Sequence, residues 1–320
     1  MILITGCAGF IGFHISSKLL SKNIKVIGID SLDNYYPKFH KYRRLKILKK
    51  NKNFKFLKID LKKINQLKIK LKNLKIDHVI HLAAQPGVRI SISNPHNTLN
   101  QNLISFSNII EISRLKKVKK FIYASSSSVY GDTKIYPFRE NDFKNIPVSV
   151  YGATKLSNEI IAKSYSKNFK IKCIGLRFFT VYGPYGRPDM AYYSFINRLK
   201  KNQKIEVFNK GKMKRDFTYI DDVVDGIHNV IRIKIKEKFV VLNIGKGKPD
   251  NLMDLISSIQ KYYGRKFKIK FTNNIPSGDI KKTFANTFKA KKTIKWKPKV
   301  SLAEGIKRFV DWYKKIDDNK

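Results

Sequence analysis

Ile2-Leu3-Ile4-Thr5-Gly6-Cys7-Ala8-Gly9-Phe10-Ile11-Gly12-Phe13-His14-Ile15 is an apolar run that breaks on three glycines and resumes at helical spacing. A strand that turns tightly into a helix in this way presents the helix N-terminus, with its unpaired N–H groups, to an anion. Glycines at 6, 9 and 12 let the backbone turn, approach a pyrophosphate and pack helix on strand, with Phe10 and Ile11 at the helix start. The spacing is G-x-x-G-x-x-G rather than G-x-G-x-x-G, and a glycine triplet alone is also compatible with a plain tight turn. Asp30 decides for a dinucleotide. It closes the next apolar run about 20 residues on, where a carboxylate meets the hydroxyls of an adenosine ribose. The same carboxylate repels a 2'-phosphate, so NAD is expected over NADP.

Working outward, short β-branched runs alternate with helical stretches, the signature of βαβ units on a parallel sheet. Ile2 to Thr5, Lys25 to Ile29, Lys55 to Ile59, His78 to His81, Lys120 to Ala124 and Lys172 to Leu176 read as six parallel strands. Ile11 to Ser21, Pro95 to Leu115 and Val150 to Tyr165 read as helices covering that sheet, and the 34-residue tract Lys38 to Leu71 reads as simply Lys-rich rather than as a low-complexity linker. The expected class is α/β: a doubly wound parallel sheet of Rossmann type, with ligand bound at the carboxyl ends of the strands where strand order reverses. After residue 176 the pattern becomes irregular, with Gly183, Pro184, Gly186, Arg187 and Pro188 marking a long loop. Tyr219 to Ile233 reads as a helix and Val240 to Ile244 as one more strand of the main sheet. The division expected is therefore a dinucleotide-binding domain over 1–176, rejoined by about 217–245, and a smaller discontinuous α/β lobe for the substrate over 177–216 and 246–320.

Composition narrows the field. The chain of 320 residues is 42% hydrophobic and 12% aromatic, enough for a full core. Its apolar segments are broken before membrane-spanning length, so no transmembrane helix is expected. Met1 to Ile15 lacks the basic leader and small-residue cleavage site of a signal peptide and is read as part of the fold. Two cysteines, Cys7 and Cys173, and no Cys/His cluster support neither a disulfide framework nor a metal site; a reducing cytoplasm fits. The formal net charge of +44 invites a nucleic-acid partner. Lysines nevertheless recur almost everywhere outside the motifs, at Lys62, Lys63, Lys68, Lys70, Lys72, Lys75, Lys116, Lys117, Lys119 and Lys120, in company with Ile and Asn. They are read as solvated side chains with no dedicated nucleic-acid partner, their summed field attracting a phosphate-bearing substrate.

Tyr151 and Lys155 lie four apart at the start of a helical stretch and project from one face. Surface helices often carry such a pair. Here Ser125-Ser126-Ser127-Ser128-Val129-Tyr130-Gly131 lies just upstream, at the carboxyl end of a strand, so three kinds of group converge. A Lys ammonium favours the phenolate of Tyr151, a Ser hydroxyl holds a substrate oxygen, and the phenolate takes the proton of an alcohol whose hydride leaves. The six histidines, His14, His40, His78, His81, His96 and His228, show no acid or nucleophile spacing, and none is expected to be catalytic.

On these residues the sequence resembles the extended short-chain dehydrogenases, and among them the UDP-glucuronate 4-epimerases, over nearly its whole length. Carrying the resemblance are Gly6 to Gly12 with Gly28-Ile29-Asp30, His81 to Arg89, Ser125 to Gly131, Tyr151 to Lys155, Arg177 to Pro184, Gly186 to Ala191 and Gly211 to Asp222. The resemblance implies Tyr151 as base, Lys155 as its partner and ribose ligand, and Ser126 as the hydroxyl on the reacting oxygen. It implies that Asp60, Leu61, Leu82, Ala83, Ala84 and Asn102 line the cofactor, and that Arg89, Thr180, Arg187, Phe208, Arg215 and Asp279 contact sugar or UDP. Arg215 is expected at the pyrophosphate, Phe208 on the uracil face, and Ser127, Ser128 and Thr180 beside C5. A homodimer through paired helices would follow the family. The segment from Arg232 to Lys238 is shorter than the family pattern, remote from these residues.

Four functions stay open at this point: 4-epimerisation of a UDP-hexuronate, the same reaction on UDP-glucose, decarboxylation or dehydration through the same 4-keto sugar, and a non-catalytic NAD- or nucleic-acid-binding role. Dehydratases and decarboxylases of the superfamily typically carry an acid where this chain has Ser128. The intact Tyr151, Lys155 and serine cluster argues against the non-catalytic role.

Overall fold

The computed structural model describes residues 1–142 and 146–317. Seven strands, β1 (Ile2–Thr5), β2 (Val26–Asp30), β3 (Phe54–Lys58), β4 (His78–His81), β5 (Lys120–Ser126), β6 (Cys173–Phe178) and β7 (Phe239–Ile244), form one parallel sheet in the order β7-β6-β5-β4-β1-β2-β3. The order reverses between β1 and β4: the chain winds outward through β2 and β3, then returns to the other side of β1. The loops following β1 and β4 therefore part and leave a crevice at the strands' carboxyl ends. Every residue of β1, β2 and β6 is buried, as befits strands covered by helices on both faces.

Four helices matter for the site: α1 (Phe10–Leu20), α2 (Phe39–Leu48), α3 (Val150–Phe169) and α4 (Ile220–Arg232). Helix α1 begins straight out of the glycine turn, and Gly12 is where it meets β1 most closely. A Cβ there would lie 2.0 Å from the Gly6 carbonyl oxygen. Gly6 itself holds φ +71°, with its missing Cβ facing the backbone of Ala83. Helix α3 starts at Ser149, whose hydroxyl accepts the Gly152 N–H at 3.1 Å, satisfying one of the unpaired donors of its first turn.

The structure departs from the sequence reading in three places. The stretch expected as one helix over Pro95 to Leu115 runs as Pro95–Leu99, a widened π turn at Asn100–Ile104, and Ser105–Leu115. The tract from Lys38 to Leu71 holds, besides the expected strand β3, two helices that were not expected, α2 and Ile64–Leu71. Helix α2 escaped the hydrophobic pattern because the buried face at i, i+3, i+4 and i+7 is Lys41, Arg44, Leu45 and Leu48, half of it charged. Beyond residue 176, the irregular pattern conceals the helices Ala191–Lys200, Leu252–Tyr263, Phe288–Ile294 and Leu302–Asp317.

These later elements pack onto the carboxyl end of the sheet. Thr180–Tyr182 pairs in parallel with Phe217–Tyr219, and Ile205–Val207 with Ile269–Phe271. One hydrophobic cluster runs without a break from Ile4, Phe13 and Leu19, through Ile220 and Ile227 of α4, to Leu255, Trp296 and Phe309. No described helix is long and apolar enough to cross a membrane.

Candidate active site

Two clefts open at the carboxyl ends of the strands and meet. The first, of about 600 Å³, follows the crevice between β1 and β4. Gly6, Gly9, Phe10, Ile11 and Gly12 form its floor, Asp30 and Asp60–Leu61 one side, Leu82, Ala83 and Ala84 the other, and Ser126, Tyr151 and Lys155 its far end. The second, of about 570 Å³, is lined by Arg89, Ser127, Ser128, Thr180, Arg187, Phe208, Arg215 and Asp279. Ser126, Tyr151, Arg187 and Tyr35 belong to both walls and form the junction.

In the first cleft Asp30 is fixed by its neighbours: Oδ2 accepts the Ala8 N–H at 3.1 Å and Oδ1 the Leu32 N–H at 2.9 Å. Burial nevertheless pushes its carboxyl above the usual carboxylate range. Lys41, only 3% exposed, lies along the same wall, donates to the Asp33 backbone oxygen at 3.1 Å and pairs with the Asp33 carboxylate at 2.9 Å. Sequence reading missed it, since one lysine among so many carries no signal. Asn102 does not line the cleft. Its Oδ1 accepts the Gln85 N–H at 2.7 Å, and its amide donates to the Gln85 carbonyl at 3.2 Å and to Thr154 Oγ1 at 3.0 Å. From behind the wall it ties the loop after β4 to the first turn of α3.

At the junction Tyr151 and Lys155 do project from one face of α3, with the Lys155 ammonium 5.7 Å from the centre of the Tyr151 ring. Lys155 donates to the Ala124 carbonyl of β5 at 3.1 Å, and burial brings its pKa down to about 8. Burial also raises the Tyr151 phenol, and what opposes that rise is the Arg187 guanidinium and a hydrogen bond from Ser126. The expectation that the Lys155 ammonium supplies the charge favouring the phenolate is therefore corrected: the cation that opposes the rise at Tyr151 is Arg187, while Lys155 is turned to the Ala124 carbonyl. Ser126 in turn accepts the Ser128 N–H at 3.1 Å and lies 3.2 Å from the Ser128 hydroxyl.

Behind this row, Ser125 donates to Glu159 at 2.5 Å, and Glu159 takes both arms of Arg177, at 2.9 and 2.7 Å. That two-armed pair, fully buried, fixes α3 against β5 and β6 under the junction. The resemblance had included Arg177 as a motif position without a task for it.

In the second cleft Arg89 pairs with Asp279 at 3.0 Å and lies over the Phe208 ring at 5.3 Å, while Arg215 lies 3.8 Å from the same carboxylate. Arg187 pairs with Asp189 through Nε at 3.1 Å and one terminal nitrogen at 2.5 Å. Tyr35, which like Arg187 lines both clefts, donates its hydroxyl to the same Asp189 at 2.9 Å. Tyr35 did not stand out in sequence, where an isolated Tyr on a loop has no period to betray it, and Asp189 lay within the Gly186 to Ala191 stretch of the resemblance without a role of its own. Among the described residues no group of three or more His, Cys, Asp or Glu is placed to hold a metal ion.

The arrangement can house a dinucleotide over the glycine turn and an anionic second ligand against Arg89, Arg187 and Arg215, with a buried phenol and a hydroxyl between them. Comparison with known proteins agrees. The model of the NAD dependent epimerase/dehydratase family matches residues 2–245. A UDP-glucuronate 4-epimerase of Thermodesulfobacterium geofontis is 38% identical over 98% of this chain and 95% of its own length. The crystal structure of UDP-glucuronic acid 4-epimerase from Bacillus cereus, in complex with UDP-glucuronic acid and NAD, superposes with a TM-score of 0.90 at 36% identity, covering 98% of this chain and 99% of that one. That of UDP-glucose 4-epimerase from Thermotoga maritima, with UDP-glucose, gives 0.89 at 30% identity, with 98% and 99% covered.

Proposed function

The chain belongs to the NAD-dependent epimerase/dehydratase family, and from that premise we propose that it inverts C4 of a UDP-linked sugar, with UDP-glucuronate as the substrate and UDP-galacturonate as the product. The observation that carries the reading is the junction itself: the Tyr151 phenol and the Ser126 hydroxyl that hydrogen-bonds to it stand together where the dinucleotide cleft and the second cleft meet. A group held there has the cofactor on one side and the sugar on the other. The cofactor is NAD, which when bound accepts a hydride from carbon and gives it back.

The chain's own residues do the rest. Ser126 holds the C4 oxygen and Tyr151 removes its proton as the alcohol becomes a ketone. The same phenol returns the proton once the ketone has presented its other face. Arg187 and the Ser126 hydrogen bond oppose the rise that burial imposes on the phenol, so proton transfer in both directions is kept within reach. Arg215, whose own guanidinium is held below its ordinary range by burial, and Arg89 flank Asp279 and offer two forks for a diphosphate. Phe208 offers a flat face for the uracil.

The uronate is favoured over the neutral hexose by two lines of support. Both the relative and the Bacillus structure named above are UDP-glucuronate enzymes. Ser127, Ser128 and Thr180, three short hydroxyl-bearing residues, line the second cleft and suit a carboxylate. Oxidation at C4 turns the uronate into a β-keto acid, which loses carbon dioxide if the bond to its carboxylate stands perpendicular to the ketone. Hydroxyls that fix the carboxylate keep it from that alignment. UDP-glucose remains the second reading, because the Thermotoga relative carries it at comparable structural similarity. Incubation of the purified protein with UDP-glucuronate, UDP-glucose and their C4 epimers, followed by chromatography, tests the choice. UDP-galacturonate as the main product supports the uronate; a faster reaction of UDP-glucose, or a UDP-pentose as main product, overturns it.

A further inference from the structure

Arg44 lines neither cleft, yet it is 1% exposed and spends its whole fork on the loops that build them. One terminal nitrogen donates to the Ala8 carbonyl in the glycine turn at 2.9 Å and to the Tyr36 hydroxyl at 2.8 Å. The other donates to Tyr185 O at 2.6 Å and Gly186 O at 2.9 Å, and Nε donates to Tyr185 O at 3.1 Å. These five hydrogen bonds all end on neutral oxygens, drawn from three segments far apart in sequence. A buried guanidinium is costly unless its donors are met, so each segment is held in place by the need to keep that charge solvated.

A second anchor acts on the same loop. His14, one turn into α1, donates from Nε2 to the Pro184 carbonyl at 2.9 Å, and its ring packs edge-on against Phe13 and, at 6.2 Å, against Tyr185. The loop thus pinned over 184–186 carries Arg187 at its next residue. Arg187 is the guanidinium that opposes the rise at Tyr151, and it is tied, directly and through Asp189, to Tyr35, which also lines both clefts.

We propose that Arg44 and His14 are positioning residues that lock the loop of Arg187 to the glycine turn, so that the cofactor cleft and the substrate cleft are set by a shared clamp rather than independently. Arg44 and His14 line neither cleft. Their effect reaches both because Ala8, whose carbonyl Arg44 holds, is also the N–H donor to Asp30, while Gly186, held by the same side chain, precedes Arg187.

The test reads binding in each cleft separately, with NADH as the fluorescent probe of the first and UDP, titrated by calorimetry, as the probe of the second. The UDP arm rests on the function proposed above; if wild-type protein binds no UDP, that reading fails and the clamp is judged with UDP-free probes of the same cleft, pyrophosphate first. Arg44→Lys keeps a buried cation but cannot meet three segments at once. It is expected to weaken both NADH and UDP by about tenfold, as loss of a charge-assisted bond does. His14→Ala is expected to weaken UDP several-fold with a smaller change for NADH. Adding Arg187→Gln in either background should cost less UDP affinity than Arg187→Gln alone costs in the wild type, since the clamp acts through that residue. A folded Arg44→Lys, judged by circular dichroism, that holds either ligand within twofold of wild type overturns the proposal, as does additivity with Arg187→Gln. Should the Arg44 variants fail to fold, the cycle between His14→Ala and Arg187→Gln decides it, and additivity there overturns it equally.

Discussion

The two clefts are built in opposite ways. The floor of the first comes from a single continuous turn, Gly6 to Gly12, at the end of one strand, with Asp30 closing the neighbouring strand. The second gathers Arg89, Ser128, Thr180, Arg187, Phe208, Arg215 and Asp279 from segments spread over nearly 200 residues, each on a loop, a short helical piece or a short strand. A site made by local backbone geometry is legible as a motif. One made by distant loops is legible only as a likeness to relatives, since no spacing rule connects position 89 to position 279. The first should fail through backbone changes and the second through side-chain chemistry.

Tyr151, common to both, should show the largest effect of all. Tyr151→Phe is expected to lower turnover by about 10²- to 10⁴-fold while NADH still titrates into the first cleft. A variant within a few-fold of wild type in a chromatographic assay removes the phenol from the chemistry and breaks the shared junction. Next in size is Gly12→Ala. Its new methyl would press on the Gly6 carbonyl and on the backbone of Cys7, with no flexible side chain to give way. Overpacking of this kind costs about 1 to 3 kcal/mol, and the midpoint in urea should fall accordingly, with NADH affinity falling alongside. An unchanged midpoint would show that the turn tolerates a Cβ and that the first cleft is not set by backbone shape.

Thr180→Val sharpens the other half of the comparison. It preserves volume in the second cleft and removes a hydroxyl, so stability should stay within about 0.5 kcal/mol. Activity on UDP-glucuronate should drop about tenfold, more than any activity on UDP-glucose, and UDP-pentose should rise as a side product. Equal losses on both sugars would detach Thr180 from the carboxylate. The smallest expected effect is a slope with pH. His81, at the end of β4 and 2.8 Å from Thr5 Oγ1, is held neutral by burial, with its pKa brought down to about 3 from the ordinary 6.5. Its folded value lies below its unfolded one, so its contribution is complete above about pH 6.5 and is lost as pH falls from there toward 3, the unfolded chain binding the extra proton. Urea midpoints taken between pH 7 and 4 should decline, less so in His81→Gln; identical slopes would show that the residue titrates alike in both states.

How much of this could be read in advance follows the same divide. The glycine turn, Asp30, the six strands and the pairing of Tyr151 with Lys155 all rest on periods of two, 3.6 or fixed short spacing, and these are local. The doubly wound order could be inferred because parallel strands with helical crossovers leave few arrangements. Helix α2 could not, because Lys41 and Arg44 occupy its inner face and a hydrophobic pattern is blind to buried charge. Arg44 and Tyr35 were invisible for the related reason that each has a partner, the Tyr185 carbonyl and the Asp189 carboxylate, on a loop more than 100 residues away. Asn102 was placed at the cofactor by family likeness, and the structure sets it one layer back, at a widened helical turn where its amide serves Gln85 and Thr154.

The hydrophobic cluster that runs unbroken from β1 and α1 through α4 to the C-terminal helices has a consequence for how the molecule comes apart. Phe309 and Trp296 share it with Ile4 and Phe13, so melting the last helices strips apolar cover from the nucleotide half as well. Heat should therefore yield one cooperative transition rather than two, with far- and near-ultraviolet circular dichroism changing together. Proteolysis under native conditions should release no stable fragment ending near residue 176, because the segment that completes the sheet, Phe239–Ile244, follows about sixty residues after β6. During synthesis the dinucleotide half must wait, its edge strand β6 unpaired on one side, until about sixty further residues have emerged to cover it.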